Sequence, residues 1–302
     1  MIHGNRGRQL VSFRYRHSAC VVASEIELPE WAEFRTADTG TPDVQIGFGA
    51  AGECVGKQTH FAVSGIGRWR IYDGRQICIE RSAGAADADI RLYTLGSAWG
   101  ALGYQRGWAM WHASAAEIDG HAALFCGESG QGKSTMAAAM AQAGHTLVAD
   151  DLSRVDPADG MIWRSSLRIK LWRDAIRPLA LDEAALEADS SDPDRYRYIV
   201  GGGGISGAPL PIGAIFILEW GDALVVERLR GSEAVSAASQ AVVYRKEFLE
   251  QLGLLTDHVL QAANIAAAVP VFRLTRPRDT RRLAECVKLV ERMLAEAQRG
   301  CG

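Results

Sequence analysis

An α/β fold is predicted for this chain by three observations. An apolar run, Ala122–Cys126, leads through the glycine-rich loop Gly127-Glu128-Ser129-Gly130-Gln131-Gly132-Lys133-Ser134 into an alanine-rich helical stretch. A second apolar run, Thr146–Ala149, follows that stretch and ends on the acids Asp150-Asp151. Residues 1–89 read differently, as short runs rich in β-branched and aromatic residues. The expected organisation is a β-rich N-terminal region over 1–89 and an α/β domain over 90–302.

Composition narrows the class before any motif is used. Apolar residues make up 48% of the chain and charged residues 23%, ordinary values for a globular protein. A net charge of −3 gives no general electrostatic footprint for nucleic acid, so no nucleic-acid partner is expected. No run approaches the roughly 18–20 apolar residues of a membrane helix. The opening MIHGNRGRQLVSF lacks the apolar core of a signal peptide. No membrane association is expected, and a cytoplasmic location is. Cys20, Cys54, Cys78, Cys126, Cys286 and Cys301 form no CxxC pair, which argues against a zinc site or a disulfide scaffold. Cys126, closing an apolar strand, reads as core filling.

Taken in order, QLVSFRY, CVVAS, VQIGF, HFAVS, WRIYD and ICIER are expected strands, with Asp73-Gly74 turning the last two into a hairpin. His60 reads as an isolated surface histidine, and Arg14, Arg16 and His17 as a solvent face. A helix is expected over Ile90–Arg106, with Leu92, Leu95, Trp99 and Leu102 on one face. Met110–Ile118 is an expected strand, turned by Asp119-Gly120 into the strand before the glycine loop. Gly144 stops the next helix. Ser153–Val155 and Met161–Trp163 flank a turn at Asp159-Gly160. In SSLRIKLWRDAIRP, Arg168 and Lys170 share one strand face while Leu167, Ile169 and Leu171 share the other. Residues 181–195 are an expected surface loop or short helix. Arg195, Tyr196 and Arg197 then precede the flexible tetrad Gly201–Gly204. IGAIFILEW and LVVERLR are expected strands, Gly231–Val243 and Lys246–Ala268 helices, VFRLT a strand, and Pro277–Gln298 an amphipathic helix. Phe248, Leu252, Leu255 and Val259 read as one core face.

The strand–GxxxxGK[ST]–helix context is that of a phosphate-binding P-loop. Glycines let successive backbone N–H groups turn inward toward a polyphosphate, and the N-terminus of the following helix favours the same anion. In that reading Gly127, Glu128, Ser129, Gly130, Gln131, Gly132, Lys133, Ser134 and Thr135 bind the nucleotide. Lys133 reaches the β- and γ-phosphates, and the Ser134 hydroxyl ligates magnesium. ATP and Mg2+ are the implied cofactors. Acids at the C-terminal end of a parallel strand beside such a loop suit magnesium binding or proton abstraction. Arg168, Lys170, Arg195 and Arg197 are candidate substrate contacts, since paired cations near a triphosphate suit a phosphate or a carboxylate; a solvent-facing edge is the other reading.

GESGQGKS followed by AGHTLVADD resembles the HPr kinase/phosphorylase family, whose P-loop and "GHxLVADD" segment these residues match. His112 stands fifteen residues before Gly127, where that family carries its catalytic histidine. Close similarity covers about residues 110–156; LRIKLW, PLPIGAIFILE and VPVFRLTRP extend it more weakly. The resemblance implies a P-loop core of the HPr kinase type and an ATP-dependent serine kinase. It implies Asp150 as general base, His112 as the neighbour that tunes it, and Asp151 with Ser134 on magnesium. It further implies a protein or peptide acceptor, for which the branch that phosphorylates lasso-peptide precursors offers one example, and a homo-oligomer. SSLRIKLWRDAI stands where the family carries the glycine-rich segment linked to phosphorolysis, so the retained residues imply the kinase direction only. A nucleotide-dependent assembly module and a small-molecule kinase are the alternative readings.

Overall fold

The computed structural model describes residues 12–49, 56–183, 186–188, 194–199 and 208–299. The chain is mixed α/β. Its first sheet holds β1 (Phe13–His17), β2 (Cys20–Ser24), β3 (Val44–Phe48), β4 (Gln58–Val63), β5 (Gly67–Tyr72) and β6 (Gln76–Arg81), in the order β1-β2-β3-β6-β5-β4. These are the six expected runs. Asp73 and Gly74 turn β5 into β6 with left-handed backbone, which those two residues tolerate. His60 is exposed on β4. His17 is not on a solvent face: it is buried, stacked flat on Trp31 at 3.9 Å and edged by Phe34 and Trp99.

The next helix is not continuous. α1 (Asp87–Tyr93) runs into a π-helical turn over Thr94–Ala98 and then α2 (Trp99–Gln105). The wider turn breaks the expected common face. Trp99 and Leu102 are buried in the core, whereas Leu92 and Leu95 are only half-buried.

The expected strand over Met110–Ile118 is interrupted at His112. β7 (Ala109–Trp111) and β8 (Ser114–Ile118) have different partners, and the backbone N–H of His112 donates instead to Val242 O. β8 and β9 (His121–Cys126) form a hairpin whose two turn residues, Asp119 and Gly120, both have positive φ, as a tight turn matching strand twist requires. α3 (Lys133–Gln142) and β10 (Thr146–Ala149) follow, then the antiparallel pair β11 (Ser153–Val155) and β12 (Met161–Trp163).

β13 (Arg168–Trp172) leads into the short α4 (Arg173–Ile176). It pairs with β15 (Arg195–Ile199), which also pairs with β14 (Glu187–Ala188), so part of the expected loop is a two-residue strand. Ile169 and Leu171 are buried, the alternation predicted. The tetrad Gly201–Gly204 lies outside the described residues.

The remaining elements are β16 (Leu210–Trp220), β17 (Val225–Leu229), α5 (Gly231–Ala241), α6 (Lys246–Leu252), α7 (Leu255–Ala268), β18 (Val271–Arg276) and α8 (Leu283–Arg299). The helix expected over 246–268 is two, because Gly253 caps α6 with φ 69°. The break rotates Val259 out to solvent, so it is not core, while Phe248 stays buried. The last helix begins six residues later than expected, after a short 3-10 turn at Thr280–Arg282.

β9, β16 and β18 run parallel at the centre of the second sheet; β8 flanks β9 antiparallel, and β10 pairs with β8. The C-terminal ends of β9, β10, β16 and β18 therefore emerge on one edge. That edge carries the glycine loop, Asp150-Asp151, Trp220 and Arg276. α3 packs beneath it through Met136, Ala137 and Met140, against Phe125, Phe216 and the C-terminal helix residues Val287 and Val290. A separate apolar cluster joins Trp69, Ile71 and Ile77 of the first sheet to Ile90, Trp99, Leu102, Tyr244 and Phe248.

Candidate active site

The glycine loop holds its shape through glycine backbone at two places where nothing else fits. Gly127 has φ 140°, and a Cβ there would lie 2.9 Å from Leu218 O. Gly132 has φ 74°, and a Cβ there would meet the Arg276 guanidinium at 2.5 Å. Both are backbone conformations that L side chains rarely adopt. Arg276 is buried and stacks over Trp220 at 4.1 Å, and its Nη2 donates to Gln131 O at 2.5 Å and to Gly132 O at 3.3 Å. Trp220 Nε1 donates to Gly130 O at 3.1 Å. The loop is thus held from outside by two side chains on neighbouring parallel strands.

Lys133 opens α3 and turns back into the loop. It is buried, and its Nζ donates to Gly127 O at 2.9 Å and Glu128 O at 3.1 Å. Burial pulls its pKa down, while the Cys126 thiol and the Asp151 and Asp150 carboxyls oppose that pull. Cys126 itself is fully buried with its thiol pushed up to about 12 by desolvation, the behaviour of a core residue rather than a nucleophile.

Asp150 is buried at the end of β10. Its Oδ1 accepts from Ser114 Oγ at 2.7 Å and its Oδ2 from the Lys170 backbone N–H at 3.0 Å. Desolvation raises its pKa, Asp151 adds to the rise, and the hydrogen bonds from Lys170, Ser114 and Ser134 lower it. Two strands besides its own therefore fix this carboxylate: β8 through Ser114 and β13 through Lys170.

Asp151 points elsewhere. Its φ of 67° ends the strand in left-handed backbone, and its carboxylate meets His112 instead of Asp150. His112 Nδ1 lies 2.9 Å from Asp151 O and 3.3 Å from Asp151 Oδ1. A carbonyl oxygen only accepts, so Nδ1 carries the proton. The expected contact of His112 with Asp150 is corrected here: the histidine supports the second acid, and Ser114 holds the first.

One cavity brings Lys133, Ser134, Asp150, Asp151, Lys170 and Arg276 together, with His112 at its margin. Of the candidate substrate cations, Lys170 lines it. Arg168 faces the other way and donates to Pro29 O at 3.0 Å. Arg195 and Arg197 sit on β15 opposite Trp172 and Lys170 in register. Among the described residues, no group of three or more His, Cys, Asp or Glu could hold a metal. Magnesium in nucleotide sites takes one or two protein carboxylates or hydroxyls plus phosphate oxygens and water, so Ser134 with Asp151 is a donor set of the right kind and number.

Ser114, Trp220 and Arg276 were missed in the sequence. Arg276 had a signal: it closes an apolar run that, like Ala122–Cys126, ends on the functional edge. Ser114 had none, since only the hairpin register brings it to Asp150. No helix among the described residues is long and apolar enough to cross a membrane. Comparison with protein-family models gives no match, and comparison with curated proteins gives none. Among solved structures, the HPr(Ser) kinase/phosphatase from Coxiella burnetii is similar at 15% identity, covering 62% of this chain and 98% of that chain, with a TM-score of 0.27, a likeness that carries no weight for fold or activity.

Proposed function

We propose that the chain is an ATP- and magnesium-dependent kinase that phosphorylates a serine hydroxyl on a protein or peptide. The observation that supports this reading is the convergence of Lys133, Ser134 and the acids Asp150 and Asp151 on one cavity beside the glycine loop. Phosphoryl transfer needs positioning and charge neutralisation more than covalent help from the protein. Residues 127–135 hold the polyphosphate through backbone N–H groups, and Lys133 neutralises its terminal charge. Ser134 and Asp151 would hold magnesium, which when bound would draw charge off the transferring group. Asp150 accepts the hydroxyl proton; its raised pKa makes it a stronger base than an exposed carboxylate. His112 keeps Asp151 oriented through the contact at Nδ1.

The acceptor class, with a lasso-peptide precursor as its most specific form, rests on the sequence resemblance alone, as does the homo-oligomeric state; the cytoplasmic location rests on the cysteine pattern. The test is mass spectrometry of candidate peptides incubated with ATP and magnesium. One added phosphate is expected with the native chain and none with Asp150→Asn, which still binds nucleotide. ATP turnover that survives Asp150→Asn unchanged, with no phosphoacceptor found, supports the assembly-module reading instead.

A further inference from the structure

The acids at the end of β10 are reached from two sides. On one side lies the cavity of the glycine loop. On the other, Asp150, Asp151 and Lys170 form the floor of a second cleft whose walls are Trp31, Leu92, Leu95 and Trp99. None of the glycine-loop residues lines this second cleft. We infer that it is the acceptor channel, and that it takes a peptide serine flanked by a bulky apolar side chain. The inference rests on the kinase reading and names the substrate class for the same site.

In-line transfer places the acceptor hydroxyl on the far side of the transferring phosphorus from the leaving oxygen, with the base beside that hydroxyl. With the nucleotide on the loop side, the second cleft is the approach to Asp150 that the nucleotide leaves open.

Trp31 and Trp99 meet edge to face at 4.9 Å, and His17, stacked on Trp31, lines the same wall. Burial holds His17 near a pKa of about 4, so at neutral pH it adds no charge. At the rim Arg91 is bound to both carboxylate oxygens of Glu30, at 3.0 and 3.1 Å, and this cation is neutralised in place. Trp31, Leu92, Leu95 and Trp99 therefore make one apolar wall, and Ser165, Ser166, Arg168 and Lys170 line the polar side across from the acids' own strand. A sugar or other polyol would set hydroxyls against the Trp and Leu wall, which cannot pair them. An aliphatic or aromatic side chain fits, and its burial supplies binding at about 25 cal/mol per Å².

The walls have three origins. They come from the turn at Pro29–Phe34, from α1 with its π-helical turn, and from residues 165–170. The cavity holds about 120 Å³, room for one apolar side chain beside the acceptor serine and not for a longer segment. The π turn has a function in this arrangement. It widens the helix where Leu95 and Gly96 face the cleft and so aims them at the channel, as π turns near functional sites commonly do.

The test uses the full chain, ATP with magnesium, and serine-centred peptides that differ only in the residues beside the serine. Leu, Phe or Trp beside the serine is expected to raise kcat/KM at least 10-fold over Asp or Lys. Leu92→Gln, at a half-buried wall position, is expected to raise the peptide KM about 10-fold with nucleotide affinity unchanged, the latter also reporting that the variant folds. Leu95→Ala serves as a second variant with the same expectation. Peptide phosphorylation indifferent to the neighbouring residues and to both substitutions overturns the inference and leaves the kinase reading standing. Transfer to polyols but to no peptide overturns the inference and the peptide acceptor of the proposed function, leaving phosphoryl transfer alone standing. Nucleotide binding without transfer to any hydroxyl overturns the kinase reading and the inference together.

Discussion

Asp150 sits in a conflict that its neighbours only partly resolve. Desolvation and the adjacent Asp151 favour its protonated form, whereas Ser114, Ser134 and the Lys170 N–H favour the carboxylate. The net result is a raised pKa, and two consequences follow. The base must be ionised to act, so activity is expected to fall on acidification with an inflection above the ordinary value of 3.8. The kcat/KM–pH profile checks this, and an acid limb at or below 3.8 contradicts it. For stability the sign is opposite. A carboxyl whose pKa is higher folded than unfolded stabilises the fold at low pH, and that contribution is lost as pH rises through the folded value. Above the folded value the ionised Asp150 is therefore a liability to the fold. Asp150→Asn keeps the shape and can still accept from Ser114 or Lys170. It is expected to lower kcat by about 10²–10⁴, the usual weight of a general base, while raising Tm by on the order of 2 °C. Thermal unfolding at pH 7 and steady-state assays on the same preparation measure both, and a lower Tm contradicts the second expectation.

Between β9 and α3 the glycine loop depends on elements far from it in sequence. Arg276 from β18 and Trp220 from β16 bind the carbonyls of Gln131, Gly132 and Gly130 and so fix the outer side of the loop. Arg276→Ala removes donors from buried carbonyls and the stack on Trp220. It is expected to cost about 1–3 kcal/mol and to weaken nucleotide binding about 10-fold, read by chemical denaturation and by nucleotide titration. Gly132→Ala should be worse for binding than for stability, because the φ of 74° and the 2.5 Å approach of Arg276 force the loop itself to move. Equal nucleotide affinity in Gly132→Ala and the native chain would contradict that account. The loop was legible in the sequence because its chemistry is local: strand, glycines, Lys133 and Ser134 are contiguous. The six strands of the first sheet were legible for the same reason, through β-branched alternation and the Asp73-Gly74 turn. The clamp was not, since Arg276 is 144 residues from Gly132 and pattern reading does not report which strands become neighbours. Three departures from the sequence pattern also share a cause. The π turn after Tyr93, the break at His112 and the cap at Gly253 each rotate side chains away from a period that the sequence continues unchanged.

At the scale of the whole molecule, the expected boundary at residues 89 and 90 crosses shared apolar surface. Ile90, Trp99, Leu102 and Tyr104 belong to one cluster with Tyr15, Trp69, Ile71 and Ile77 of the first sheet, and Phe248 and Leu249 of α6 complete it. Polar contacts cross in the same place. Arg154 lies between the rings of Trp108, at 3.8 Å, and Trp163, at 4.6 Å, and donates to Ser18 O. His17 Nε2 lies 3.2 Å from Ser165 O, on the segment that leads to Lys170 and so to Asp150. The first sheet therefore supports the base at one remove, by fixing the strand whose N–H holds it. Two outcomes are expected from this connection. A fragment of residues 90–302 should expose that apolar cluster and aggregate or melt well below the full chain, whereas a self-sufficient domain would keep its Tm. Arg154→Ala leaves the nucleotide loop untouched but removes the stacked cation and leaves Ser18 O without its donor, a loss expected to cost about 2–4 kcal/mol. If the sheet supports the base as argued, calorimetry of Arg154→Ala will show one cooperative transition at lower temperature, because the shared core unfolds as a unit. Two resolved transitions, with the second at the native temperature, would instead show that the nucleotide-side sheet stands alone and that the first sheet has no part in positioning Asp150.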